Sequence, residues 1–195
     1  MSTIGLTGRI GSGKTTVAGI LAKKGARVFF SDYKVHQFYK DCTHPIYKKV
    51  VENFSECKID GEISREKLAQ IVFKDKQQLK KLEEIVHPEL INTLRQWLKE
   101  ANESDVCVAE VPLLFEKNLE EMFDKNILVK VKDDILISRL KEKYAFSDQE
   151  IKQRLSLYLP VKEKENKTDF VLENNLDLKN LEKEVDLLWQ KINQI

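Results

Sequence analysis

The feature that most restricts this chain is its first turn. Gly8-Arg9-Ile10-Gly11-Ser12-Gly13-Lys14-Thr15 fits G-x-x-x-x-G-K-[ST] at every position. It lies between a strand-like stretch, Thr3 to Leu6, and a helical stretch, Lys14 to Lys24, in which Val17, Ile20 and Leu21 recur on one face. Six of the seven glycines fall within the first 25 residues, so the unusual backbone geometry is concentrated here. In such a unit successive backbone N–H groups point inward as an anion nest, and the following helix adds its positive end. Lys14 is spaced to reach the β and γ phosphates of a nucleotide, and the Thr15 hydroxyl to ligate Mg²⁺. Gly11, Ser12, Gly13 and Thr16 complete the expected cradle.

Beyond the loop, Arg27 to Phe30 reads as a second strand, and the pattern from His36 to about Ala101 is helical. Ser64 and Asp75 are expected N-caps, with Gln78 in capping-box spacing after Asp75. Pro88 suits the first turn of a further helix carrying Leu90, Ile91, Leu94, Trp97 and Leu98. Strand signals return at Val106 to Val111 and Asn126 to Val131. A helix from about Asp133 to Tyr144 follows, and Ser147 with Glu150 forms a capping box opening another. Phe170 to Leu172 is a last short strand, and Leu178, Leu181, Val185, Leu188 and Ile192 mark a C-terminal helix. Strands alternating with helices predict an α/β fold: a parallel sheet flanked by helices, with a helical insertion between the second and third strands. The expected organisation is a core of residues 1–35 and 102–195 with an insertion over 36–101.

Composition removes several classes of function. With 195 residues and 42% hydrophobic side chains the chain can bury a core without disulfides, and it is too apolar for a disordered protein. The 33 basic groups against 32 acidic ones lack the excess of a dedicated nucleic-acid binder. No apolar run approaches a membrane span and no signal peptide is visible, so a soluble, cytoplasmic protein is expected. No membrane, nucleic-acid or obligatory protein partner is expected either. Cys42, Cys57 and Cys107 are odd in number and widely spaced, which argues against a disulfide framework. Cys42, His44 and Cys57 lack a fourth zinc ligand at a familiar spacing.

Two competing motifs fail on context. Asp32 lies where a dinucleotide fold places its ribose-binding acid, but Thr16 stands where the third glycine belongs. Asn166-Lys167-Thr168-Asp169 spells the guanine-reading N-K-x-D, yet it precedes its strand, and no D-x-x-G occurs anywhere. Asp32 closes the second strand and has two readings: a helix N-cap, which Ser31 could equally supply, or an acid that orients an acceptor hydroxyl and takes its proton. Arg139 and Arg154 flank the Ser147 capping box, where arginines on a helical flap can neutralise a transferring phosphoryl group.

The motifs together resemble a known family. The opening Gly5 to Ala18, the Gly25 to Asp32 strand, Asp60-Gly61 with Ser64-Arg65, and His87-Pro88 are each similar to segments of the dephospho-CoA kinases. Val111-Pro112-Leu113-Leu114-Phe115-Glu116 is close to that family's hallmark, and Arg139, Arg154, Pro160, Lys164, Asp169-Phe170-Val171 and Asn174 fit its lid and last strand. The resemblance covers nearly the whole chain. It implies transfer of the ATP γ-phosphoryl to the ribose 3′-hydroxyl of dephospho-CoA, with Mg²⁺ and an acid at Asp32. It also implies a helical lid over 139–160 within the core, nucleotide contacts from Arg139, Arg154 and Asn174, and a helical insertion that binds CoA. Asp32 is then expected to contact dephospho-CoA, while Arg65 and His87 either contact it or only tie the insertion's helices together. Alternative expectations are a P-loop kinase for another small acceptor, such as a nucleoside monophosphate, or a nucleotide-dependent switch. The sequence departs from the family pattern at Arg9, where glycine is usual, at Phe30, at Tyr158 and at Glu110, where aspartate is frequent. The glycine common after the last strand is missing near Leu176.

Overall fold

Five of the six residues of the first strand are buried, as expected of a strand covered on both faces. In chain order the elements are β1 (Ser2–Thr7), α1 (Lys14–Lys23), β2 (Arg27–Phe30), α2 (Ser31–Lys40), α3 (Pro45–Asn53), β3 (Lys58–Ile59), β4 (Glu62–Ile63), α4 (Arg65–Val72) and α5 (Lys76–Lys99). There follow β5 (Val106–Glu110), β6 (Lys125–Lys130), α6 (Asp133–Tyr144), α7 (Asp148–Leu155), α8 (Val161–Glu165), β7 (Phe170–Glu173) and α9 (Leu178–Ile192). The computed structural model describes residues 1–193.

The chain forms two compact units, one of residues 1–30 with the chain from Glu100 onward, the other Ser31–Lys99. In the first, a five-stranded sheet runs in the order β2-β5-β1-β6-β7, with every pairing parallel. Its core joins Ile4, Leu6, Val108, Ile127 and Val129 of the sheet to Val17, Ala18 and Leu21 of α1 and to Leu181, Val185 and Leu188 of α9. Val17, Leu21, Leu181, Val185 and Leu188 are periodic positions that the sequence marks, whereas Leu178, marked with them, precedes the buried stripe and is 55% exposed. A satellite cluster of Val131, Leu136, Leu140 and Ile151 holds α6 and α7 together and takes in Ile10 of the glycine-rich turn.

The second unit is helical apart from one feature. An antiparallel pair, β3 with β4, closes over Asp60 and Gly61, both at positive φ. The reading of 36–101 as wholly helical is therefore corrected: the turn geometry of Asp60-Gly61 makes a hairpin. The unit starts at Ser31, because β2 passes into α2 without a loop. Pro88 also differs from expectation, since it lies inside the 24-residue α5 and does not open a new helix. Pro88 and Glu84 are both exposed, so water can satisfy the Glu84 carbonyl that the missing N–H leaves unpaired. The expected caps form: Ser64 Oγ accepts from the Lys67 N–H at 3.3 Å, and Asp75 Oδ1 from the Gln77 N–H at 2.8 Å. Among the described residues no helix is long and apolar enough to cross a membrane.

Candidate active site

The turn after β1 has the shape its glycines predict. Gly11 and Gly13 take positive φ of 80° and 95°, and Gly13 caps α1 in the left-handed region. Ser12 N–H bonds back to the Arg9 carbonyl at 3.1 Å, which folds the loop over the helix start. The N–H groups of the first turn of α1 thus stand at the positive end of a ten-residue helix. Lys14 is buried, and its Nζ donates to the Arg9 carbonyl at 3.1 Å, which keeps the ammonium against the loop.

The loop's other side is built by Asn174, just past β7. Its buried Nδ2 donates to the Ser12 carbonyl at 2.9 Å, and a Cβ added at Gly13 would run into this same amide. The glycine is required there by both its φ and its neighbour. The sequence expectation gives Asn174 a nucleotide contact; the structure has its amide on the Ser12 carbonyl, within the loop expected to hold the phosphates.

Thr15 Oγ1 donates to Glu110 Oε1 at 2.8 Å. Glu110 ends β5, is 3% exposed, and lies in register with Leu6 of β1 and Phe30 of β2. Sequence reasoning did not assign this acid. The signal that finds it is sheet order, because β5 is inserted between β1 and β2 and puts its last residue beside the glycine-rich loop. A hydroxyl and a carboxylate side by side, both oxygen donors, fit a hard divalent cation that takes its remaining ligands from water and phosphate. Among the described residues no group of three or more His, Cys, Asp and Glu could hold a metal alone.

Arg9 stands where an extra charge beside the phosphate loop is expected, but its guanidinium turns away from the loop. It donates to the Val131 carbonyl at 3.1 Å and pairs with Asp133 at 2.5 Å, at the start of α6. Arg139 lies half-buried on α6. Arg154, at the end of α7, is buried with its guanidinium carbon 4.0 Å from the centre of the Phe146 ring. Burial pushes its pKa down, from so high an ordinary value that it remains charged. The Ser147–Glu150 capping box forms as the spacing predicts.

The remaining sequence candidates lie in the helical unit. Asp32 is exposed in the first turn of α2, two residues past the end of β2. Arg65 opens α4 and is exposed, while His87 is half-buried on α5. Burial first, then the charges of Lys40 and Arg65, hold the neighbouring His36 below its ordinary pKa. His44 Nδ1 is occupied as the cap of α3, accepting from the Ile46 N–H at 3.1 Å.

The guanine-reading motif dissolves into structure. Asp169 Oδ2 accepts from the Asn126 N–H at 2.8 Å and Oδ1 from Lys125 at 2.9 Å, so its carboxylate fastens β7 to β6. A motif whose acid is consumed by the sheet is a chance match.

Fold and loop together make this a P-loop kinase. The same fold is found in the solved structure of shikimate kinase from Bacteroides thetaiotaomicron, with a TM-score of 0.60 at 14% identity over 98% of each chain. The family model for dephospho-CoA kinase (CoaE) matches residues 2–180. Dephospho-CoA kinases from Aquifex aeolicus and Fusobacterium nucleatum are 35% and 36% identical over 194 residues, covering 98% and 97% of this chain and the same shares of their own. The crystal structure of TT1252 from Thermus thermophilus superposes with a TM-score of 0.78 at 32% identity over 97% of both chains. The chain belongs to the dephospho-CoA kinase family, that of the final step of coenzyme A biosynthesis.

Proposed function

We propose that this chain transfers the γ-phosphoryl group of ATP to the ribose 3′-hydroxyl of dephospho-CoA through the residues described above. Lys14 and the amides of the Gly8–Thr15 loop bind the phosphates. The acceptor oxygen forms a bond to the γ phosphorus as the bond to the β–γ bridging oxygen breaks, giving ADP and CoA, and the hydroxyl proton passes to Asp32. A carboxylate is an adequate acceptor for that proton, because bonding to the nucleophile develops late in a loose transition state. Thr15 and Glu110 would hold Mg²⁺, which when bound neutralises charge on the β and γ phosphates.

The register row Phe30–Glu110–Leu6 carries the assignment of Asp32. The carboxyl ends of β2 and β1 meet on one sheet edge with only β5 between them, and ligands of open α/β sheets bind outside that edge. Asp32 follows the first of those ends by two residues and Gly8 follows the second directly. Arg139 and Arg154, on a lid over 139–160, would close on the nucleotide, and the 36–101 insertion would receive dephospho-CoA through Arg65 and His87. ATP and dephospho-CoA are the expected ligands.

Incubation with ATP and a panel of acceptors tests the acceptor: dephospho-CoA should be consumed in preference to nucleoside monophosphates. Asp32→Asn should keep ATP affinity while lowering turnover by roughly 10²–10⁴, the range of general acid–base groups. Turnover within a few-fold of the parent would remove Asp32 from the mechanism.

A further inference from the structure

Lys164 is fully buried, with 0% side-chain exposure, and its Nζ lies 2.6 Å from Glu116 Oε1, itself on a side chain only 9% exposed. Burial pushes the Lys164 pKa down and the Glu116 carboxylate opposes that shift. Taking two charges out of water usually outweighs their mutual attraction, and well-packed apolar residues of similar volume are often as stable or more so. Stability is therefore a poor account of this pair.

Its position offers a better one. Glu116 Oε1 is shared: besides Lys164 it accepts the Leu159 N–H at 2.8 Å. One oxygen thus gathers three segments: the turn after β5, the link that leaves α7, and α8. The other oxygen, Oε2, is buried without a hydrogen-bond partner among the described residues. The turn that carries Glu116 is packed into the core, with Leu114 and Phe115 at 0% and 2% exposure. It is also joined to the phosphate loop, since the buried Thr7 hydroxyl, one residue before Gly8, donates to the Pro112 carbonyl at 3.1 Å. On the far side, the link from Ser156 to Leu159 leads straight back to Arg154. A continuous path of hydrogen bonds and packed residues therefore runs from the phosphate loop through Glu116 to the trailing end of the arm that carries Arg154.

We propose that Glu116 and Lys164 are positioning residues, a clamp that fixes the trailing end of the lid against the phosphate loop and so sets how well the closed site excludes water. This rests on the reading of 139–160 as a lid. A lid held in register delivers the phosphoryl group to the acceptor, whereas a lid free to shift admits water to the same phosphorus.

The test must separate position from scaffold. Glu116→Gln alone leaves a buried cation without its counter-charge and can unfold the chain, so the informative variant is Glu116→Gln with Lys164→Met, which removes both charges. We expect it to melt within about 4 °C of the parent and to bind ATP with an affinity within a few-fold. We expect transfer to dephospho-CoA to fall by about 10- to 100-fold, the loss that small misplacements produce, and the ratio of ATP hydrolysed to phosphoryl transferred to rise. A scaffold role does not move that ratio. A double variant that melts far below the parent, or one that transfers at the parent's rate with no extra hydrolysis, overturns the proposal, because either outcome makes the pair scaffold alone. Failure of the functional reading is seen separately, in a parent enzyme that does not phosphorylate dephospho-CoA.

Discussion

At the scale of single residues, the phosphate loop is held as much by a distant residue as by its own sequence. Asn174 stands 162 positions from Ser12 in the chain, and its amide is the buried partner of the Ser12 carbonyl. Replacing it with alanine leaves that acceptor buried and unsatisfied, which costs about 1–3 kcal/mol, and frees the loop to leave its anion-binding geometry. Asn174→Ala is therefore expected to lower the unfolding free energy by that amount and to weaken ATP binding, read by denaturant titration and by calorimetry. An unchanged ATP affinity would show that the loop holds its shape unaided. Arg9 has a smaller part by the same reasoning: its partner Asp133 has a side chain 76% exposed, and ion pairs so open to water contribute little. Its part-buried bond to the Val131 carbonyl is what ties the loop to the link between β6 and α6.

Among the elements, α5 departs furthest from its sequence reading. Pro88 lacks an N–H and its ring crowds the carbonyl four residues back, yet the helix continues through it. Tertiary packing overrides the local signal, with Val86 and Leu90 on the core of the helical unit and Pro88 facing water. Pro88→Ala is expected to stabilise the chain by about 1–2 kcal/mol, measured as a higher urea midpoint at constant slope. A lower midpoint would mean that the restriction Pro88 places on the unfolded chain outweighs the restored helical hydrogen bond. The contrast with α1 explains what a sequence of this kind discloses. Contiguous chemistry is legible: Gly8 to Thr15, the caps at Ser64 and Ser147, and the apolar stripe of α9 each depend on residues a few positions apart. Contacts made by sheet order are not. Thr15 and Glu110 are 95 positions apart, and they meet only because β5 enters between β1 and β2. The same holds for Leu159 and Glu116, 43 positions apart: each segment carries its own marker, but nothing in either names the other. The short β3–β4 hairpin was hidden for another reason, since two-residue strands leave no period to read.

For the molecule as a whole, 33 basic and 32 acidic groups nearly cancel, so near neutrality its pH dependence comes from individual displaced groups and not from net charge. Burial would raise the pKa of Asp169, but the Lys125 ammonium and the Asn126 amide outweigh it and hold the carboxyl below its ordinary 3.8. Glu150 and Asp177 are also held low, by the Ser147 and Asn180 groups that they cap. A carboxyl with a lowered folded-state pKa binds fewer protons folded than unfolded. Its stabilisation is fully present above the unfolded value and is lost as pH falls through the folded one. Lys164 acts at the other end of the scale. Its pKa lies below the ordinary 10.5, so the unfolded chain holds that proton more tightly, and stability rises as pH climbs from the folded value to 10.5. Both effects make acid the destabilising direction. Asp169→Asn isolates the first of them. At pH 7 it is expected to cost about 1–2 kcal/mol, toward the lower end because the Lys125 contact is partly solvent-screened. As pH drops below 3.8 the parent's own carboxyl protonates and loses the same interactions, so the two stabilities should converge. Urea titrations of both proteins at neutral and acid pH read this directly. A gap that stays constant into acid would mean that Asp169 fastens β7 to β6 by shape and not by charge.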